Sequence, residues 1–202
     1  KCRDSNPTWV KDSMPDRGTE TEFELTTLDR LDRLGYRYCH GEDLERPREE
    51  VVLRDVLRRE IARRYADLPP RSIDEAVSRI ALPQGADTLR RNRDFHDILT
   101  RGVEVRVEHP DGRVEYRHIH AIDWDHPDQN DFLAVNQLSV HGLNDRRPDI
   151  VIFVNGLPLV IFELKNPYDE KPTVDDALNQ IAHYRHHIPH LFKANRRKDL
   201  VI

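Results

Sequence analysis

The strongest pattern in the chain is a pair of apolar runs, residues 150–154 and 158–162, on either side of Asn155-Gly156. β-Branched and aromatic residues suit both runs to strands, and Asn-Gly supplies the positive φ angles of a tight hairpin turn. Runs this apolar predict strands covered on both faces. Charge stands only at their ends: Asp149 opens the first run, and Glu163 and Lys165 close the second. Glu163 and Lys165 are two apart, so they share a face while Leu164 takes the other. A strict two-residue loop would pair Asp149 with Phe162 and turn it away from Glu163. A three-residue loop, Asn155-Gly156-Leu157, or a β-bulge would set Asp149 opposite Glu163, and one of these two is predicted.

Helical periodicity predicts five helices. The first runs from Thr19, with Phe23, Leu28, Leu31 and Leu34 on one side and Gly35 as its C-cap. Others are predicted over residues 49–65, over 73–82 with Ser72 as cap, and over 86–100. The last covers 173–188, with Val174, Leu178, Ile181 and Ile188 as its apolar stripe. Gln180 and Tyr184 lie one turn apart at the edge of that stripe. Alternation predicts a short strand at 36–40, and a hairpin of 103–109 with 114–120 around Asp111-Gly112, continuing through 121–124. A further strand is predicted over 132–140, carrying Asn136 and Gln137. Residues 1–18 have no periodicity and read as a loose arm.

Composition narrows the class. Charged residues make up 34% of the chain and its mean hydropathy is −0.77, with no run approaching a membrane span, which points to a cytoplasmic protein. Its two cysteines, Cys2 and Cys39, lack metal-ligand spacing and read as free thiols. The net charge of −5 speaks against a free-standing grip on DNA. The arginines at 54, 58, 59, 63 and 64 fit a solvated face with Glu–Arg pairs better than a phosphate-binding stripe. His183 and His187, at helical i, i+4 spacing, also read as a solvated face, for want of a third metal ligand. No phosphate-binding Gly-x-x-x-x-Gly-Lys-Ser/Thr loop is present, so ATP hydrolysis is not expected of this stretch.

The chemistry concentrates at the central hairpin. Two carboxylates converging at a strand end, Asp149 and Glu163, form a hard-oxygen site suited to Mg²⁺ or Mn²⁺. Such a metal acidifies a bound water and offsets charge on a reacting phosphate. Lys165 beside it would orient the attacking water or neutralise the intermediate. Arg146 and Arg147 adjoin this site and suit a phosphate oxygen. The plain alternative is an ion pair at a strand end.

Asp149, then Glu163-Leu164-Lys165, then Gln180-x-x-x-Tyr184 resembles the PD-(D/E)xK nuclease pattern. With Thr19–Glu24, Leu34-Gly35-Tyr36, Asn92–His96, Asn130–Gln137 and Arg147-Pro148-Asp149, the chain resembles the N-terminal endonuclease domain of the restriction (R) subunit of type I restriction-modification enzymes. The short motif is weakly specific, and the ordered set of blocks is highly specific.

The resemblance implies an α/β fold. Its mixed, restriction-endonuclease-like sheet is flanked by helices, with an inserted helical segment at about 46–100 and an extra β-hairpin. It implies Mg²⁺-dependent, non-specific cleavage of double-stranded DNA after ATP-driven translocation. ATP would act only through a motor domain that this sequence lacks. Methylation and specificity subunits would be partners, with no membrane involved. Metal would be held by Asp149, Glu163 and the Leu164 carbonyl, with Lys165 catalytic and Gln180 and Tyr184 in support. A first-helix glutamate, Glu20 or Glu24, would approach the site, and Glu24 is favoured. The rival readings are a nuclease-like docking module without catalysis and a stand-alone repair exonuclease of the same fold.

Overall fold

A computed structural model of the chain describes residues 20–109, 111–165 and 174–191. Its helices are α1 (Glu20–Arg33), α2 (Arg54–Arg64), α3 (Pro70–Ala81), α4 (Thr88–Arg101) and α5 (Val174–His187). Its strands are β1 (Arg37–His40), β2 (Val103–Glu108), β3 (Val114–Ile119), β4 (Phe132–Asn136), β5 (Ile150–Val154) and β6 (Leu157–Phe162). The main sheet has the order β1-β4-β5-β6; β1 and β4 run parallel and the other pairs antiparallel. β2 and β3 form a separate antiparallel hairpin. This is the mixed α/β architecture expected from the sequence.

Three apolar groups hold these parts together. On one face of the main sheet, Leu28 and Leu31 of α1 pack on Ala134, Ile150, Ile152 and Phe162. On the other, Ile181, Tyr184 and Ile188 pack on Val135, Val151, Phe153 and Ile161. The inserted helices and the β2–β3 hairpin close a third group around Leu57, Ile61, Ile80, Phe95, Val105 and Leu157. Each large aliphatic side chain withdrawn from water in this way contributes about 1.5–3 kcal/mol before chain entropy is counted.

The central hairpin settles the register question through a bulge. Asn155 (φ 50) and Gly156 (φ 82) make a two-residue turn that pairs Val154 with Leu157. The register then shifts, because Phe153 pairs with Pro158 but Ile152 pairs with Val160, leaving Leu159 as the extra residue. Pro158 cannot donate to a ladder, and the irregularity falls beside it on an edge strand, where a proline is tolerated. Beyond the bulge Ile150 pairs with Phe162, which puts Asp149 opposite Glu163 at the end of the sheet. The turn itself is buried. Asn155 accepts from the Asp131 N–H at 2.7 Å and donates to the Ala121 carbonyl at 2.8 Å, and the Gly156 carbonyl accepts from the Leu53 N–H at 2.9 Å.

Several boundaries differ from the sequence reading. The helix expected from residue 49 starts at Arg54, because Leu53 spends its N–H on the hairpin turn. α3 starts at Pro70, so Ser72 lies inside it and donates to the Arg106 carbonyl rather than capping. α4 starts at Thr88, and its cap is Asp87, whose Oδ1 accepts from the Arg90 N–H at 2.8 Å. β4 stops at Asn136 because Gln137 turns to φ 52, and residues 121–124 form no strand.

Two apolar stripes also shift. Leu34 lies past the end of α1 and is exposed. On α5, Val174 (69% exposed) and Leu178 (47%) face outward, and the buried stripe is Ala177, Ile181, Tyr184 and Ile188. The hydropathy pattern favoured leucine over tyrosine at the interface, whereas the fold buries the larger ring of Tyr184. Cys39 is disulfide-bonded, which corrects the free-thiol expectation. No helix among the described residues is long and apolar enough to cross a membrane. The arm at 1–18 and the basic stretch at 193–198 lie outside the described residues.

Candidate active site

The bulge and the strand alternation bring Asp149, Glu163 and Lys165 to one end of the main sheet, on the face covered by α5. Asp149 is tied across the strands, its Oδ2 accepting from the Leu164 N–H at 2.7 Å. Glu163 is only 1% exposed, a burial that a carboxylate tolerates when its charge is matched by donors. Those donors come from Lys165 and α5. Lys165 Nζ donates to Glu163 Oε1 at 3.1 Å and to Gln180 Oε1 at 2.9 Å. Gln180 Nε2 donates to the Tyr184 hydroxyl at 2.9 Å, and that hydroxyl donates to Glu163 Oε2 at 3.0 Å.

These four side chains close a ring with one self-consistent proton arrangement. An ammonium only donates, so Gln180 must present its oxygen to Lys165 and its nitrogen to Tyr184. Tyr184 is then left with its own proton to give to Glu163. Burial, and after it the charges of Glu163 and Asp149, raise the Tyr184 hydroxyl above the ordinary tyrosine range, partly offset by the Gln180 hydrogen bond. Tyr184 therefore remains a neutral donor to Glu163 at working pH. The i, i+4 spacing on α5 lets Gln180 and Tyr184 reach the strand end together.

The donor chemistry suits a hard divalent cation. Asp149, Glu163 and the Leu164 main-chain carbonyl offer only oxygens. Among the three charged side chains, two carboxylates face one ammonium. Among the described residues no cluster of three or more His, Cys, Asp or Glu side chains is placed to hold a metal. Two carboxylates with a carbonyl match the way Mg²⁺ is held, with water and phosphate oxygens completing its shell.

The other sequence-selected residues are placed as follows. Arg146 is turned to α5, its Nε and Nη2 lying 3.0 and 2.6 Å from His187 Nδ1. Burial, followed by the Arg146 charge, lowers His187 from the usual histidine range, as an acceptor for Arg146 requires. Arg147 is exposed. Glu20 opens α1, and its side chain lies outside the described residues. Glu24 reaches the end of β4, where Asn136 Nδ2 and Gln137 Nε2 donate to its two oxygens. The sequence places Asn136 and Gln137 inside the strand expected over 132–140 and in the Asn130–Gln137 block, and nothing in it marks them as partners of Glu24. The α2 arginines are largely engaged with the protein: Arg58 with Asp74, Arg59 with Asp131 and Glu60, Arg63 with Glu60, and Arg64 with the Ala121 carbonyl. They form ion pairs and a carbonyl contact rather than a bare basic stripe.

Residues 19–201 match the sequence family described as type I restriction enzyme R protein N terminus (HSDR_N). The chain belongs to this family. The type I restriction enzyme HindI endonuclease subunit of Haemophilus influenzae is 35% identical over 189 residues, covering 88% of this chain and 18% of that protein. The putative type I restriction enzyme MjaIXP endonuclease subunit of Methanocaldococcus jannaschii is 29% identical over 180 residues, 84% of this chain and 17% of that protein. The chain thus spans less than a fifth of the length of these two R-subunit relatives.

Proposed function

We propose that this R-protein N-terminal domain is the DNA-cleaving part of a type I restriction enzyme. It hydrolyses phosphodiester bonds of double-stranded DNA without sequence preference of its own, in the cytoplasm. Translocation by an ATP-driven motor elsewhere in the full subunit precedes the cut, and separate methylation and specificity subunits choose the site. The observation that carries this reading is the closed Lys165–Glu163–Tyr184–Gln180 ring set beside Asp149 at one sheet end. A bare strand-end ion pair needs neither the second carboxylate nor the α5 residues.

Asp149, Glu163 and the Leu164 carbonyl would hold Mg²⁺, with Mn²⁺ as a substitute. When bound, the ion acidifies a water and offsets charge on the phosphate. The chain's own residues then divide the work. Tyr184 and Lys165 hold the Glu163 carboxylate in one rotamer. Gln180 holds the Lys165 ammonium at the lip of the site, where it orients the attacking water and stabilises negative charge on the phosphate. The engaged arginines and the net charge of −5 fit a domain whose DNA is delivered by the rest of the subunit.

The test is cleavage of a supercoiled plasmid carrying an unmethylated site by the assembled complex with ATP. Linear product is expected with Mg²⁺ or Mn²⁺, and none after prior removal of divalent ions from subunits and DNA. Because the motor also uses Mg²⁺, Mn²⁺ uptake by the subunit without ATP is measured alongside, and is expected to depend on Asp149. Cleavage that persists without divalent ions would overturn the reading.

A further inference from the structure

The β2–β3 hairpin has two outer edges, and α3 covers only one. His109 N–H donates to the Arg113 carbonyl at 2.9 Å, which makes these two a hydrogen-bonded pair next to the turn. Alternation then puts Val107–Glu115, Val105–Arg117 and Val103–Ile119 in the same class. The main-chain groups of Glu104 and Arg106 therefore point out of the ladder on the β2 side, and those of Val114, Tyr116 and His118 on the β3 side. On the β2 side α3 meets them. The Ser72 hydroxyl donates to the Arg106 carbonyl at 3.1 Å, and Arg79 donates to the Glu104 carbonyl. On the β3 side a partner stands only past the strand end, where His120 N–H donates to the Tyr65 hydroxyl at 2.9 Å. Among the described residues, no group meets the outward N–H and carbonyl of Val114, Tyr116 or His118.

Open strand edges are ordinarily blunted by proline, lysine, a bulge or a short length. β3 is six residues long, pairs in unbroken register and contains neither proline nor lysine. Its charges, Glu115 and Arg117, are opposite in sign and two positions apart, and its exposed apolar residues are Tyr116 (64%) and Val114 (45%). That pattern is complementary to itself. An antiparallel neighbour must present its own outward groups, so β3 set against a second β3 pairs Tyr116 with Tyr116 and Val114 with His118, giving about six main-chain hydrogen bonds. The intervening pairs place Glu115 against Arg117 on both sides of the axis, at the closer side-chain spacing of non-bonded pairs. Sliding by two residues either way sets Glu115 against Glu115 or Arg117 against Arg117, which like charge disfavours. Each also has a partner within the chain, His109 for Glu115 at 3.3 Å and Asp67 for Arg117, and each stays part-exposed.

We propose that β3 is a self-recognition edge, through which two copies of the chain join antiparallel about a two-fold axis at Tyr116 to make one four-stranded sheet. A contact through one strand edge is smaller than a standard interface, so a reversible dimer with Kd on the order of 10 μM is expected. The experiment is sedimentation equilibrium of the full-length subunit without DNA, at concentrations on both sides of that value. Hydrogen exchange of the β3 amides and the melting temperature are followed in the same samples. Wild type is compared with Tyr116→Pro, with Glu115→Arg, and with Glu115→Arg combined with Arg117→Glu. Proline at 116 removes an N–H that the β2–β3 ladder does not use, so the hairpin keeps its bonds while the outer edge loses a donor on the axis. Tyr116→Pro and Glu115→Arg are each expected to weaken the dimer about 10-fold or more, with the fold intact. Adding Arg117→Glu to Glu115→Arg restores opposite signs across the axis and is expected to recover most of that loss.

In wild type the outward amides of Val114, Tyr116 and His118 should be protected at high concentration and exchange freely on dilution. A wild-type subunit that stays monomeric throughout would overturn the proposal. Protection that is independent of concentration would overturn it too, because the edge would then be covered from within the subunit. So would a dimer that Tyr116→Pro leaves unchanged, or a folded double variant as weak as Glu115→Arg alone. None of these outcomes bears on the nuclease reading, since β3 contributes no residue to the candidate active site.

Discussion

Lys165→Ala is expected to reduce DNA cleavage by the assembled restriction complex about 10²–10³-fold, the usual scale for removing one preorganised electrostatic group. ATP hydrolysis by the motor should be unaffected. The side chain is partly buried, 27% exposed, and belongs to none of the three apolar groups, so its removal leaves those groups intact. Its removal leaves Glu163 Oε1 and Gln180 Oε1 without the Lys165 donor, while Tyr184 still donates to Glu163 Oε2. A stability cost of about 1–3 kcal/mol is therefore expected, too little to unfold a domain of this size. Arginine should not rescue, because the ring uses a compact ammonium that donates in two directions. Plasmid cleavage and thermal melting of the same preparation check both halves. A folded variant that cuts at the wild-type rate would remove Lys165 from catalysis.

Asp149→Asn separates a brace from a metal ligand. Asparagine keeps a side-chain oxygen that can accept the Leu164 N–H, so the link between the strand ends survives. If Asp149 serves only as that brace, the variant is silent. If its charge holds a cation, cleavage falls on the order of 10³-fold, about 4 kcal/mol of barrier, and Mn²⁺ uptake falls with it. The melting temperature should stay within a few degrees of wild type, because only the charge has changed. Single-turnover cleavage and Mn²⁺ titration measure the two losses, which are expected to move together.

What could be read from the sequence was what local rules govern. Asn155-Gly156 between β-branched runs announced a hairpin, and period-two alternation put Glu163 and Lys165 on one face. The need to bring Asp149 opposite Glu163 limited the connection to a longer loop or a bulge, and the bulge at Leu159 is the option taken. The i, i+4 spacing of Gln180 and Tyr184 likewise gave a shared face, although their closure into a ring with Lys165 depends on where α5 crosses the sheet. The Glu24 contacts were not legible as contacts. They join residues 112 and 113 positions apart, and they depend on a left-handed Gln137 that nothing in a strand-like sequence announces. Arg146 looked well placed for phosphate by adjacency alone, but it is turned toward His187. The outward Val174 and Leu178 show the same limit, since periodicity finds an apolar stripe while helix rotation is set by the partner surface.

Anomalous diffraction from a crystal of the chain soaked in Mn²⁺ is the most direct measurement of the central claim. A peak is expected about 2 Å from a carboxylate oxygen of Asp149 and of Glu163. A well-occupied Mn²⁺ elsewhere, with Asp149 Oδ2 still accepting from the Leu164 N–H and Glu163 still closed in its ring, would contradict it.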